Sequence, residues 1–180
     1  MHPDLEEVLF DEEQIKSIIQ TLADRINHDY KDTECLMLVG ILKGSFIFMS
    51  DLVRKLTVPV RLEFMSVSSY GSATTSSGVV RIDLDLKKPI DGKDVLIVED
   101  IIDTGHTLKY LLESLGARKP KSLEVTTLLQ KKEALKTDVT VKYVGVDIPL
   151  KFVIGYGLDY DERYRELPVI GVLRESVYKK

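Results

Sequence analysis

The sequence predicts an α/β fold with a mostly parallel central sheet flanked by helices. Two observations carry that prediction. The runs at 35–42 and 95–98 are apolar without interruption, the pattern of strands buried on both faces. Around them, segments with a 3.6-residue apolar period are interleaved with short apolar segments. The order is helix, strand, helix, three strands, helix, strand, as in chains that lay helices over a parallel sheet.

Asp11 and Gln14 have capping-box spacing and open a first helix, whose apolar positions are Ile15, Ile18, Ile19, Leu22 and Ile26. The run 35–42 is the first buried strand, and Cys35 is expected to be a buried residue of it. After Lys43-Gly44-Ser45, residues Met49, Leu52, Val53 and Leu56 mark a second helix, and Pro59 ends that unit. A strand follows at 60–67. Val80, Ile82, Leu84 and Leu86 then alternate with Arg81, Asp83, Asp85 and Lys87, which predicts a strand with one buried and one wet face. Asp91-Gly92 turns the chain into the strand at 95–98. Leu108, Leu111, Leu112 and Leu115 mark a third helix that stops at Gly116, with Pro120 beyond. Leu123, Val125, Thr127 and Leu129 form another strand, and short apolar runs at 143–146, 152–154 and 169–173 predict more. No repeat or linker divides the chain, so one domain over 1–180 is expected.

The net charge of −4 argues against broad, sequence-independent nucleic-acid binding, which needs many phosphate-neutralising cations. A single cysteine excludes an intrachain disulfide and suits a cytoplasmic protein. No apolar run approaches the ~20 residues of a membrane span, and the acidic start Met1-His2-Pro3-Asp4-Leu5-Glu6-Glu7 does not resemble a signal peptide.

In open α/β sheets, ligands bind beyond the carboxyl ends of the strands, which directs attention to the residues after Leu42 and after Val98. Glu99, Asp100 and Asp103 sit at that second position, where burial is costly unless cations or hydroxyl donors compensate. Thr104-Gly105-His106-Thr107 then leads into a helix, and free amides at a helix start with two hydroxyls make a phosphate cradle. A ribose 5-phosphate would satisfy both parts. An acidic strand end followed by an N-capped helix would explain the same residues without a ligand, and both readings stand at this point. The chain has no G-x-x-x-x-G-K-[ST], no G-x-G-x-x-G and no G-x-S-x-G, and His2, His28 and His106 are too scattered for a zinc site.

The whole run Val95-Leu96-Ile97-Val98-Glu99-Asp100-Ile101-Ile102-Asp103-Thr104-Gly105 resembles the phosphoribosyl pyrophosphate motif of the type I phosphoribosyltransferases. Within that family it is most similar to the bacterial-like branch acting on hypoxanthine and guanine. The likeness extends over roughly residues 8 to 175 and implies a small hood formed by the N- and C-terminal segments. It implies that Glu99 and Asp100 engage the ribose hydroxyls and a magnesium ion, that Asp103 is the general acid/base near purine N7, and that Thr104, Gly105, His106 and Thr107 bind the 5-phosphate. For His106 the backbone is expected to matter. Lys43, Gly44 and Arg165 would meet pyrophosphate, with Arg163 as a nearby decoy. Lys131 would donate to the purine O6, Phe152 would stack on the base, the Val153 backbone would read its edge, and Asp159 would complete the magnesium or base contacts. Ser69 and Tyr70, in the Ser/Thr/Gly-rich stretch 66–78, would belong to a lid.

The implied activity is transfer of a phosphoribosyl group to N9 of hypoxanthine or guanine, giving IMP or GMP and pyrophosphate in purine salvage. The implied assembly is a homodimer or homotetramer. A xanthine-guanine transferase is the alternative within enzymes, and a regulatory module that has lost catalysis is the alternative outside them. Retention of all three acids speaks against the latter.

Overall fold

The computed structural model describes residues 2–69 and 80–179. Tyr70, one of the two expected lid residues, lies outside them. Helix α1 (Glu12–Asp29) begins at Asp11, whose carboxylate accepts from the Gln14 amide while Gln14 Oε1 accepts from the Asp11 amide. Ile15, Ile19, Leu22, Ala23 and Ile26 form its buried face, and Ile18 packs at the margin. The capping box and the apolar period thus define one helix together.

The main sheet contains β2 (Leu36–Leu42), β3 (Val60–Ser69), β4 (Val80–Leu84), β5 (Asp94–Ile102), β6 (Ser122–Gln130) and β7 (Tyr143–Asp147), in the order β4-β3-β2-β5-β6-β7. All neighbours are parallel except β3 and β4. Helices α2 (Phe46–Val53) and α3 (His106–Gly116) complete the layers. The uninterrupted apolar runs follow from this sandwich. Leu36, Leu38, Leu96 and Val98 pack with α1 and α2 on one side, while Met37, Val39, Val95 and Ile97 pack with Leu108, Leu111 and Leu115 of α3 on the other. Successive side chains alternate faces, so both faces must be apolar.

A second sheet, β1 (Leu5–Phe10), β9 (Ile170–Leu173) and β8 (Val153–Ile154), joins the two ends of the chain antiparallel, with α4 (Glu175–Tyr178) after it. This is the expected hood. Its Val153, Tyr156, Leu158, Ile170 and Val172 share a core with α1 and α2.

Several expectations need correction. Cys35 precedes β2 and is only half-buried, because the Leu36 amide pairing with the Pro59 carbonyl marks where the ladder starts. Leu56 lies past the end of α2. β4 is an edge strand ending at Leu84; Ile82 packs on the α3-side core but stays half-buried, and Leu84 is exposed. Most consequential, β5 does not stop at Val98 but runs to Ile102, so Glu99 and Asp100 lie inside the strand. The ladder with β6 continues through Glu99↔Thr127 to Ile102↔Gln130, and this backbone pairing carries the acids into the sheet. Only Asp103 stands beyond it.

Candidate active site

β2 pairs β3 on one side and β5 on the other, so the connections run in opposite directions from it and leave a crevice at the carboxyl ends of β2 and β5. The loop after β2 (Lys43, Gly44) and the end of β5 meet there. A Cβ on Gly44 would overlap the Asp100 carboxylate, with Asp100 Cγ at 2.6 Å. Only glycine lets the loop approach so closely. The Leu42–Lys43 peptide bond is cis.

Glu99 is buried and Asp100 partly so. Burial, then the neighbouring Asp100 charge, push the Glu99 carboxyl well above its ordinary range. Burial pushes Asp100 up to about 6, although its Oδ1 accepts the Ile101 amide at 2.8 Å and Arg165 opposes the rise. Among the described residues no ion pair joins either acid. Asp103, by contrast, is exposed, and its Oδ2 accepts Lys131 Nζ at 2.7 Å. The Lys131 amide also bonds the Ile102 carbonyl, fixing the lysine beside the acid. The three acids are therefore two units, a buried pair and a separate carboxylate–ammonium pair.

Thr104, Gly105 and Thr107 line a cleft of about 120 Å³ with Glu99 and Asp103. Gly105 has φ +82° and stands at the N-cap of α3, where no side chain caps the helix, so the first amides of α3 stay open toward that cleft. His106 is the first helical residue and contributes a backbone amide. Thr137 Oγ1 and the Lys136 amide hold the Thr104 carbonyl from behind. A larger hollow, about 540 Å³, lies at the amino ends of the strands by Arg61, Lys93 and Lys121. Size alone would favour it, but it holds none of these groups, and the sheet geometry favours the carboxyl ends.

Arg165 reaches the crevice from the hood side. Its guanidinium donates to the Gly157 carbonyl at 2.7 Å and pairs with Asp159 at 3.0 Å and Glu162 at 3.2 Å. Glu162 also pairs with Lys43 at 2.9 Å. Asp161, Glu162 and Tyr164 all have positive φ, so this segment is tightly curled and backbone strain is concentrated at the site. Arg163 instead sits over the Tyr164 ring. Phe152 is 37% exposed just before the buried Val153, with Tyr160 edge-on to it.

The match to the phosphoribosyl transferase domain family covers residues 7–161. The chain belongs to the phosphoribosyltransferase family. It is 59% identical to the hypoxanthine-guanine phosphoribosyltransferase of Dictyostelium discoideum over 97% of this chain and 98% of that one. Identity to the Bacillus subtilis (strain 168) protein of the same description is 47%, covering 99% of each. The structure superposes on a hypoxanthine phosphoribosyltransferase from Staphylococcus aureus with TM-score 0.96 and 50% identity, covering 100% of this chain and 97% of that one. It also matches the Trypanosoma cruzi enzyme in complex with the product IMP, with TM-score 0.93 and 49% identity over 99% of each chain.

For this phosphoribosyltransferase, the structure brings together Lys43, Gly44, Asp100, Asp159 and Arg165 around the crevice, and pairs Asp103 with Lys131. Ser69 ends β3. Sequence reasoning missed Glu162, which joins both expected pyrophosphate cations. Its neighbours Asp161 and Arg163 share its charged character, and only the curled backbone distinguishes it. It also missed the Tyr156 hydroxyl bonded to Asp51, which ties the hood segment to α2.

The buried acids offer a test of metal fit. Two adjacent carboxylates with no ion-pair partner among the described residues are the hard oxygen donors a divalent cation takes. No group of three metal-ligating side chains occurs among the described residues, so a cation here would complete its shell with substrate oxygens and water, as magnesium commonly does.

Proposed function

We propose that this chain transfers the 5-phosphoribosyl group of phosphoribosyl pyrophosphate to N9 of hypoxanthine or guanine, releasing pyrophosphate, within one catalytic domain. The observation that carries this is the Lys131–Asp103 pair beyond β5, next to the buried Glu99–Asp100 pair and the open start of α3. Glu99 and Asp100 hold the ribose hydroxyls and would offer oxygens to magnesium, its shell completed by substrate oxygens and water, while Asp159 pairs with Arg165 instead of joining them as a third ligand. When bound, magnesium would neutralise the leaving pyrophosphate.

The start of α3 orients the 5-phosphate, Thr104 and Thr107 adding hydroxyl donors. Lys43, Gly44 and Arg165 receive the pyrophosphate, and this requires their Glu162 and Asp159 partners to yield. Lys131 has three N–H donors and spends one on Asp103, leaving others for the purine O6. Asp103 takes the N7 proton as N9 attacks the anomeric carbon and the bond to pyrophosphate breaks. Phe152 covers the base, and the Val153 backbone reads its edge.

A homo-oligomer, dimer or tetramer, is supported by the exposed apolar residues Leu62 and Phe64 on one face of β3. The lone cysteine supports a cytoplasmic setting. The test of the activity is to incubate the protein with magnesium, phosphoribosyl pyrophosphate and each of hypoxanthine, guanine and xanthine, following nucleotide and pyrophosphate. The expected result is IMP and GMP with pyrophosphate in equal amount. Product from xanthine alone, or from none of the three, would overturn the assignment.

A further inference from the structure

The chain's last described residues pack back against Phe152. α4 has four residues, too few to hold a helix unaided, so tertiary contacts fix its place. The Arg174 amide donates to the Asp4 carbonyl and Arg174 Nε to the Pro3 carbonyl, both at 2.9 Å. The Tyr164 hydroxyl donates to the Asp4 carboxylate at 2.8 Å, closing the same strap. The strap sets Tyr178 against Phe152, with ring centroids 5.1 Å apart and an interplanar angle of 26°. Tyr160 meets Phe152 edge-on at 5.7 Å and 87°, so the phenylalanine ring is braced from two directions. Tyr178 and Tyr160 both pack on the hood cluster of Leu5, Ile154, Tyr164 and Leu173, which puts the braces on the hood side. Even with both rings against it, Phe152 keeps 37% of its surface exposed.

We infer that Tyr178 is a positioning residue for the purine: it stacks on the hood face of Phe152 and holds that ring with its opposite face presented to a flat 6-oxopurine. This rests on the reading of Phe152 as the residue that covers the base. Phe152 precedes a two-residue strand, and without the stacked ring only the edge contact with Tyr160 braces its side-chain torsions. An aromatic pair contributes through the shape and quadrupole of both rings, so the brace requires a flat ring and not a hydroxyl.

The test is steady-state kinetics on Tyr178→Phe, Tyr178→Leu, Tyr178→Ala and Phe152→Ala, varying hypoxanthine and phosphoribosyl pyrophosphate separately, with thermal melting of each variant. Tyr178→Ala is expected to raise KM for hypoxanthine by about 2–10-fold, the loss of one aromatic pair, leaving kcat and KM for phosphoribosyl pyrophosphate unchanged. Tyr178→Leu, which keeps apolar bulk without a flat face, should behave as Ala, and Tyr178→Phe as the parent. If Phe152→Ala raises KM for hypoxanthine while Tyr178→Ala and Tyr178→Leu do not, the inference fails and the role of Phe152 stands. The inference also fails if both KM values rise together. If Phe152→Ala leaves KM for hypoxanthine unchanged, both readings fall.

Discussion

Replacing Asp100 by asparagine is expected to stabilise the free protein while removing its function. The carboxyl stands at about 6 because burial disfavours its charge, against an ordinary value of 3.8. Ionising it at neutral pH in the folded state therefore costs about 3 kcal/mol. Asp100 retains some contact with water, so about 1–3 kcal/mol is the expected gain from a neutral isostere. In a chain of this size that raises Tm by about 2–10 °C. The sign follows from linkage. An acid whose folded pKa is raised contributes stability that is full below its unfolded value and is lost as pH rises through the folded value. The advantage of Asp100→Asn should thus be full near pH 8, shrink mainly between the folded value of about 6 and the ordinary 3.8, and vanish below that. The assay is thermal melting of both proteins across that range with a chelator present. A variant less stable than the parent at pH 8, or an advantage independent of pH, would refute the reasoning.

Gly44→Ala should displace the Asp100 carboxylate, because the new Cβ would lie 2.6 Å from its Cγ. A loss of kcat/KM on the order of 10²-fold is expected from misplacing a substrate-holding group, measured with phosphoribosyl pyrophosphate as varied substrate. At the opposite end of the sheet, burial would raise the Asp94 carboxyl. Thr33 and Ser122, at 2.7 and 2.8 Å, and Lys121 at 3.2 Å more than reverse that and hold it below the ordinary range. This lowered acid contributes stability above its unfolded pKa that is lost as pH falls through the folded one. Asp94→Asn should therefore cost about 1–3 kcal/mol at pH 7, with the difference in urea midpoint narrowing below about pH 4.

The fold was legible where one physical signal dominated. The capping box and apolar period defined α1, and the unbroken apolar runs announced β2 and β5 because both faces of each strand meet a helix layer. β1 carried no clean alternation, with acidic Glu6 and Glu7 among its residues, and it forms by pairing with β9 at the far end of the chain. The reach of β5 was misjudged for a related reason. Two acids in a row look like the end of a buried strand, but backbone pairing to β6 carries Glu99 and Asp100 inside it. At the site, residue types and spacing drew attention to the acids and the cradle, and the family resemblance alone pointed to Lys131. They could not reveal that Lys131 bonds Asp103 and not the buried pair, or that Glu162 joins Lys43 to Arg165. Those contacts depend on side chains 28 and 119 residues apart.

The central claim is that the segment from Glu99 to Gly105 divides into a substrate-holding pair, a phosphate cradle and a separate acid, Asp103, that moves the purine proton. Single-turnover nucleotide formation by Asp103→Asn, alongside calorimetric binding of phosphoribosyl pyrophosphate with magnesium, tests it most directly. Turnover should fall by about 10²–10⁴-fold, the usual worth of general acid/base help, with binding unchanged. Unchanged turnover, or a loss accounted for by lost binding, would contradict the claim.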